Sequence, residues 1–385
     1  MEDQAEQARP SRRSRAPQPY RCDLSHPSPR PSVADSAPAV PRRSVLVLKK
    51  LGDDLLPQLM TALRVLRQEG LRCVVERDVY DRLSLEDGFG FVETFLPGDP
   101  LAEAVDFTVC LGGDGVILHA STLFGSGPAP PIISFNLGSL GFLTNHTIDT
   151  FHDDIRALMY GDGPMDGTRT PLALLQKKQR GCCPRALRLE ADALLCLSRP
   201  GVYITLCMRL RCELVRGDGR EAPRTYDVLN EVVVNRGNNA YLSKIECYER
   251  GRLLTKVQAD GIMIATPTGS TAYSVSAGGS MVHPNVPAIL FTPVCPHSLS
   301  FRPVILPDSA ELELRIPSDA RDSAWVSFDG KARSELRRGD SVRIAMSEHP
   351  LPTINKSDQT HDWFGSLARC LSWNDRVEQR PFAPP

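Results

Sequence analysis

Between Ser44 and about residue 160 the chain alternates short apolar runs with stretches whose apolar residues recur every three or four positions. Ser44-Val45-Leu46-Val47-Leu48, Leu71-Arg72-Cys73-Val74-Val75, the run from Val105 to Leu111 and Ile132-Ile133-Ser134-Phe135 are short and rich in β-branched residues, the pattern of buried strands. After the first run, Asp53 and Asp54 open a helix that sets Leu56, Leu59, Leu63 and Leu66 on one face, and Gly70 ends it. Further helices are predicted from about Val116 to Phe124 and from Phe151 to Tyr160. This alternation predicts a Rossmann-like α/β domain over 44–168, a parallel sheet with helices on both faces and a site at the strands' carboxyl ends.

From Met208 onward the pattern changes to strands separated by turns: Met208–Val215, Tyr226–Val234, Ile245–Glu249 turning at Arg250-Gly251, Leu312–Ile316, Trp325–Phe328 and Val342–Met346. A β-rich domain over 205–350 is expected, sandwich-like or a layered solenoid. The segment from His361 to Leu371 then sets Trp363, Leu367 and Leu371 on one helical face. Residues 1–43 are rich in Pro, Ser and Arg without apolar periodicity, and are expected to be a disordered tail.

Composition narrows the classes. With 385 residues there is material for two domains and a large core, and a formal net charge of −1 supplies no basic field for nucleic acid. No apolar run approaches a membrane span, and no lipidation signal is present. Glu2, Asp3 and Glu6 argue against a mitochondrial transit peptide, which avoids acids. Arg12-Arg13-Ser14 fits a basic-directed kinase target or an inert solvated tail. The 11 cysteines are scattered and lack paired CxxC spacing, which suits free thiols in a reducing compartment better than disulfides or a structural zinc site. Cys182, Cys183 and Cys196 lack ligand spacing too, and no metal-ligating set is assigned.

Candidate chemistry begins at Gly112-Gly113-Asp114-Gly115, directly after an apolar strand. Glycines let a backbone turn sharply and approach a ligand, and exposed amides at such a turn cradle phosphate. Asp114 would repel phosphate, so beside one it suits a hydroxyl from which it takes a proton, as in phosphoryl transfer to an alcohol. The other reading is a tight βα turn with Asp114 capping the next helix. A second segment, Thr266-Pro267-Thr268-Gly269-Ser270-Thr271-Ala272-Tyr273, follows the apolar run ending at Ala265; Ser270 and Thr271 favour a helix N-terminus, and Tyr273 adds an aromatic face with a polar tip. Between the two stands Asn230-Glu231 amid valines, where a carboxylate needs partners and sugar hydroxyls would serve.

Together with the run from Phe135 to Thr144, Asp260-Gly261, the run from Pro296 to Pro303 and the run from Trp325 to Gly330, these motifs make the chain resemble the NAD kinases, in the family's order and from about Ser44 to Trp373. The detailed likeness is to the animal cytosolic type. The resemblance implies an NAD kinase/diacylglycerol kinase-like fold in which a C-terminal segment, 351–385, returns to the α/β domain. It also implies a cytosolic homo-oligomer with NAD in the cleft between domains, while the charge and the lack of an apolar span already speak against nucleic acid and membrane as partners. Residues 169–204, including the run from Gln176 to Arg180 and Cys182-Cys183-Pro184, are then an atypical insertion, because relatives run almost directly from the equivalent of Arg169 into the strand Met208–Val215.

By the same resemblance, the γ-phosphoryl of ATP, carried with Mg²⁺, passes to the adenosine ribose 2′-OH. Asp114 takes the proton, and Gly112, Gly113 and Gly115 present amides to phosphates. Asn230 and Glu231 hold the adenine and ribose, with Thr271, Ala272, Tyr273 and Ser276 on the adenosine side. Asp260 faces the nicotinamide, and Tyr241 and Gln258 occupy family binding positions. Val116 and Ala259 depart from the family's usual Thr and Gly. Ser270 lacks a hydrolase frame and is expected to be a binding hydroxyl; His283 and His297 are expected to be structural, and Asp329 a turn residue. A lipid kinase with a related glycine loop and a non-catalytic NAD(P)-binding sensor stand as alternatives.

Overall fold

A computed structural model describes residues 43–138, 141–160 and 202–375. The first part holds strands β1 (Ser44–Lys49), β2 (Arg72–Val75), β3 (Glu93–Thr94), β4 (Phe107–Gly112), β5 (Ile132–Asn136), β6 (His146–Thr147) and β7 (Ile204–Cys207). Its helices are α1 (Leu56–Gln68), α2 (Arg77–Leu83), α3 (Leu101–Ala104), α4 (Asp114–Leu123) and α5 (Phe151–Tyr160). The second part holds β8 (Leu210–Val215), β9 (Arg224–Val228), β10 (Glu231–Asn235), β11 (Ser243–Glu249), β12 (Arg252–Ala265), α6 (Tyr273–Ser276) and β13 (Ala288–Pro296). It continues through β14 (Val304–Pro307), β15 (Leu312–Arg315), β16 (Ala324–Phe328), β17 (Lys331–Leu336) and β18 (Ser341–Met346); β19 (Leu351–Ile354) and α7 (Gln359–Leu371) follow.

The first sheet runs β3-β2-β1-β4-β5-β19-β7, with β6 also on β5. The strands of the first part up to β6 pair in parallel, as expected. Both faces are covered, which is why β1 is apolar throughout. Val45 and Val47 join Leu59, Leu63, Phe151 and Ile155 of α1 and α5, whereas Leu46 and Leu48 join Val116, Ile117 and Ala120 of α4. Two strands at the edge went unforeseen. β19 lies parallel to β5, and β7 runs antiparallel to β19, so a boundary at 205 falls inside a strand of the first sheet. Four residues beside an unpatterned stretch carry too little periodicity to stand out. The remainder of the expected insertion, through 201, and the tail before residue 43 lie outside the described residues.

The second part is one curled sheet rather than a sandwich or solenoid, ordered β17-β16-β10-β12-β11-β15-β18-β8-β9, with β13 and β14 branching from β12. Its inward faces form a single core, and Tyr226 near one end stacks on Phe328 near the other, ring centroids 4.1 Å apart. The expected strand Tyr226–Val234 is broken into β9 and β10 at Leu229-Asn230, whose amides turn to a side chain instead of a ladder. Helix α7 does return to the first domain: Ser366 Oγ meets Asn145 Oδ1 at 3.1 Å, and Gln359 Nε2 donates to Ile204 O at 2.8 Å. Its buried residues are Asp362, Ser366 and Leu367, so Leu371, 42% exposed, lies off the packed face that the sequence pattern gives it.

Candidate active site

The glycine loop joins β4 to α4. Gly112 has φ +145°, and a Cβ there would stand 2.8 Å from Val116 Cγ2, so glycine is required on both counts. Gly113 precedes α4, whose start has no side-chain cap, leaving the first-turn amides available to an anion. Open space surrounds Gly115. Asp114 is the first residue of α4, but its carboxylate does not cap that helix. Oδ2 accepts from Phe142 N at 2.8 Å and Oδ1 from Leu143 N at 2.9 Å. A Cβ on Gly141 would lie 2.2 Å from Asp114 Oδ1, so the Gly141-Phe142-Leu143 turn closes onto the acid only because Gly141 has none. Burial pushes the Asp114 carboxyl up from 3.8, and the two amides pull it partly back.

Asn230 and Glu231 are set by two other motifs. Asp329, at φ +47°, receives three amides on its carboxylate: Leu229 N at 2.7 Å, Asn230 N at 2.8 Å and Glu231 N at 3.1 Å. From the other side, Thr266 N donates to Asn230 O at 2.9 Å and Thr266 Oγ1 to Leu229 O at 2.6 Å. Gly269 presses so close that a Cβ would sit 2.2 Å from Asn230 O. Glu231 is 8% exposed, and its Oε2 has no hydrogen-bond partner. Burial first, then the Asp329 charge, raises its carboxyl from 4.5 to about 7. A buried acid with an unpartnered oxygen and a raised pKa is a candidate binding group.

Two cavities adjoin these motifs. A small one of about 40 Å³ lies between the domains, where Phe142 and Leu143 face Thr268, Thr271 and Trp363. Asp114 reaches it through the amides it binds. The larger, about 440 Å³, brings Asp260 and Tyr273 together with Asn235, Arg236, Ser327 and Arg333. Asp260 is ion-paired there, Arg236 Nε to Oδ1 at 2.7 Å. Tyr241 and Gln258 line neither cavity: Tyr241 is 57% exposed with Arg321 above its ring, and Gln258 is exposed on β12 opposite Lys244. Ala272 and Ser276 flank Tyr273 without lining either cavity, and Ser276 is exposed.

Ser270 differs from its expectation. It is fully buried, and its Oγ both donates to Val282 O and accepts from Val282 N, so its hydroxyl is used up in the fold. Sequence reasoning missed the roles of Asp329, Gly141 and Arg209. An Asp-Gly turn after a strand is common, and only contact across 98 to 100 residues shows what Asp329 holds. Arg209 lies between β7 and β8, wholly buried, and donates at 2.7 Å to the carbonyls of His349, Gly125 and Gly127. It ties the crossings between the sheets to the far end of α4. No group of three His, Cys, Asp or Glu residues able to hold a metal occurs among the described residues, and no helix there is long and apolar enough to cross a membrane.

Comparison with known proteins adds the following. The family model for the ATP-NAD kinase N-terminal domain matches residues 58–163, and that for the ATP-NAD kinase C-terminal domain matches 229–356. An Arabidopsis thaliana protein named NAD kinase 2, chloroplastic, is 57% identical over 341 residues, 88% of this chain and 31% of that protein; a rice protein named probable NAD kinase 2, chloroplastic, is 56% identical over 343 residues, with the same two coverages. The chain thus spans about a third of these relatives' length. Among solved structures, yeast NADH kinase complexed with NADH matches with a TM-score of 0.71 and 27% identity, over 88% of this chain and 90% of that one. An Archaeoglobus fulgidus NAD kinase in complex with ATP matches with a TM-score of 0.56 and 21% identity, over 84% and 98%. The animal cytosolic type and the cytosolic location expected from the sequence are overturned, because the Arabidopsis and rice relatives are plant proteins named as chloroplastic.

Proposed function

The chain belongs to the ATP-NAD kinase family, and on that premise we propose that it transfers the γ-phosphoryl of ATP to the adenosine ribose 2′-OH of NAD, making NADP. The observation that carries this is the convergence of distant motifs. Asp114 and the Phe142-Leu143 turn stand on one side of the interdomain cleft, and Thr268 and Thr271 on the other, in the turn that also braces Asn230-Glu231.

Each oxygen of Asp114 accepts one amide and keeps a lone pair, so the acid stays oriented while free to take the proton of the ribose hydroxyl. The amides of Gly113 and Gly115 at the start of α4 meet the donor phosphates, with Gly112 giving the turn. Glu231, whose Oε2 lacks a partner, accepts from ribose hydroxyls beside Asn230. Thr271, Ala272, Tyr273 and Ser276 flank the adenosine, Asp260 stands toward the nicotinamide end, and Tyr241 and Gln258, outside both cavities, are supported only as family binding positions. Mg²⁺ fits as a passenger on the ATP phosphates, since no acid cluster among the described residues would hold it alone, and it supplies charge neutralisation there. A homo-oligomer is supported by the apolar edge at β14, where Val304 and Ile305 are about half exposed.

Purified protein given NAD, ATP and Mg²⁺ should form NADP, read with an NADP-specific dehydrogenase. Phosphorylation of diacylglycerol instead would install the lipid-kinase alternative, and NAD binding without turnover would make the protein a sensor.

A further inference from the structure

We propose that Asp329 is a positioning residue for the proposed dinucleotide site: it holds the Leu229-Asn230-Glu231 backbone in a non-strand turn and sets its own negative charge against the Glu231 side chain. This deepens the function proposed above and rests on the placing of Glu231 at ribose hydroxyls.

The geometry is specific. Oδ1 takes two amides and Oδ2 one, while Asp329 N donates back to Glu231 O at 2.9 Å, so the two segments are locked reciprocally. A carboxylate is the side chain suited to this task, because every group aimed at it is a donor. The left-handed backbone at φ +47° suits Asp or Asn and few others. Val232 to Asn235 pair with both neighbouring strands, β12 and β16, and keep the partner turn in register. A strand continued through Leu229 would turn the Asn230 and Glu231 amides to a ladder and lose the bend at these two residues.

The charge matters as well as the shape. Ala265 and Thr266 oppose Glu231 from the β12 side and are neutral, which leaves Asp329 as the charge acting on it. Around Asp329 itself stand Lys331, Arg209 and Cys212. Burial first, and the Asp329 charge second, push the Glu231 carboxyl up to about 7, while burial also raises the carboxyl of Asp329 against the three amides that hold it down.

The test is titration calorimetry of NAD against the full chain between pH 5.5 and 8.5, together with steady-state kinetics, for wild type and Asp329→Asn. Asn tolerates the left-handed turn but opposes one of the amides with an N–H of its own. Wild-type affinity should rise with pH through about 7 as Glu231 ionises. In Asp329→Asn the midpoint should move toward acid by about one pH unit, KM for NAD should rise about tenfold, and KM for ATP should change less than about twofold. An unmoved midpoint with both KM values altered alike would reduce Asp329 to a turn residue. Should Asp329→Asn fail to fold, Asp329→Gly, which tolerates the left-handed backbone and keeps Glu231, decides the point: a midpoint moved toward acid supports the coupling, and an unmoved one overturns it. Absence of NAD binding at any pH sinks the function itself rather than the role of Asp329.

Discussion

At the level of single residues, acids carry the candidate site, and their surroundings differ. Asp114 is fastened by two amides, so replacing it by Asn keeps the volume but turns one N–H against another. Turnover of NAD should fall by ~10²–10⁴ with NAD binding largely retained, as measured by single-turnover kinetics and calorimetry. Near-normal turnover would remove Asp114 as the base. Glu231 has a raised folded pKa, about 7 against 4.5, so the unfolded chain gives up its proton first. Stability should therefore decline as pH rises from about 4.5 to 7 and stay lowered above that window, by at most about 3 kcal/mol. Glu231→Gln should melt at a higher temperature than wild type at pH 8 and show no gain at pH 4.5, while its KM for NAD rises much more than its KM for ATP. That pairing of gained stability with lost affinity is the mark of a site acid.

Among elements, α4 is decisive because it connects the glycine loop to the domain crossing. Its N-terminal turn carries Asp114, and the Gly125 and Gly127 carbonyls beyond its C-terminus are bound by Arg209. Arg209→Met would leave three carbonyls without donors and would take from Asp227 one of its two arginines, Arg211 remaining at 3.6 Å. A loss of about 3–5 kcal/mol is expected in urea unfolding; a change within about 0.5 kcal/mol would show that the clamp is dispensable. Regular elements were legible where period and punctuation agreed. Helix α1 keeps Leu59, Leu63 and Leu66 on its buried face, and Gly70 ends it at φ +79°. Strands β7 and β19 were not legible, since four residues each become strands only by pairing at the sheet edge, β19 with β5 and β7 with β19.

Over the whole molecule, two excisions test the limits of the fold. Removal of residues 1–42 should leave melting temperature and NADP formation unchanged, because that segment has no apolar pattern with which to join a core. Removal of residues 171–200 should do the same, loop length costing only ~0.6 kcal/mol per doubling. The second cut must stop before Val202, which packs against the first core ahead of β7. Collapse of that second variant would mean that the excised stretch contributes to a core. The chain crosses between its sheets twice, after Cys207 and again before Leu351, so the domains are interleaved rather than strung in series.

The sequence by itself determined an α/β part followed by a β-rich part, the glycine loop and the other motif segments, because hydrophobic period and local turn chemistry are short-range properties written into neighbouring residues, whereas the curling of the second part into one sheet was decided by tertiary pairing. Val45 to Leu48 could only be a strand buried on both faces, and the glycines at 112 and 113 mark the sharp passage from strand to helix. Tertiary structure alone decided which hydroxyls face the cleft and which, like that of Ser270, are spent on the fold. It also decided that Asp329 holds Asn230 and Glu231, and that Arg209 binds α4 to the second sheet. These are contacts across some 80 to 140 residues between groups with no shared periodicity. Their energy comes from satisfying buried donors and acceptors, and which partner satisfies which is settled only when the chain has closed on itself.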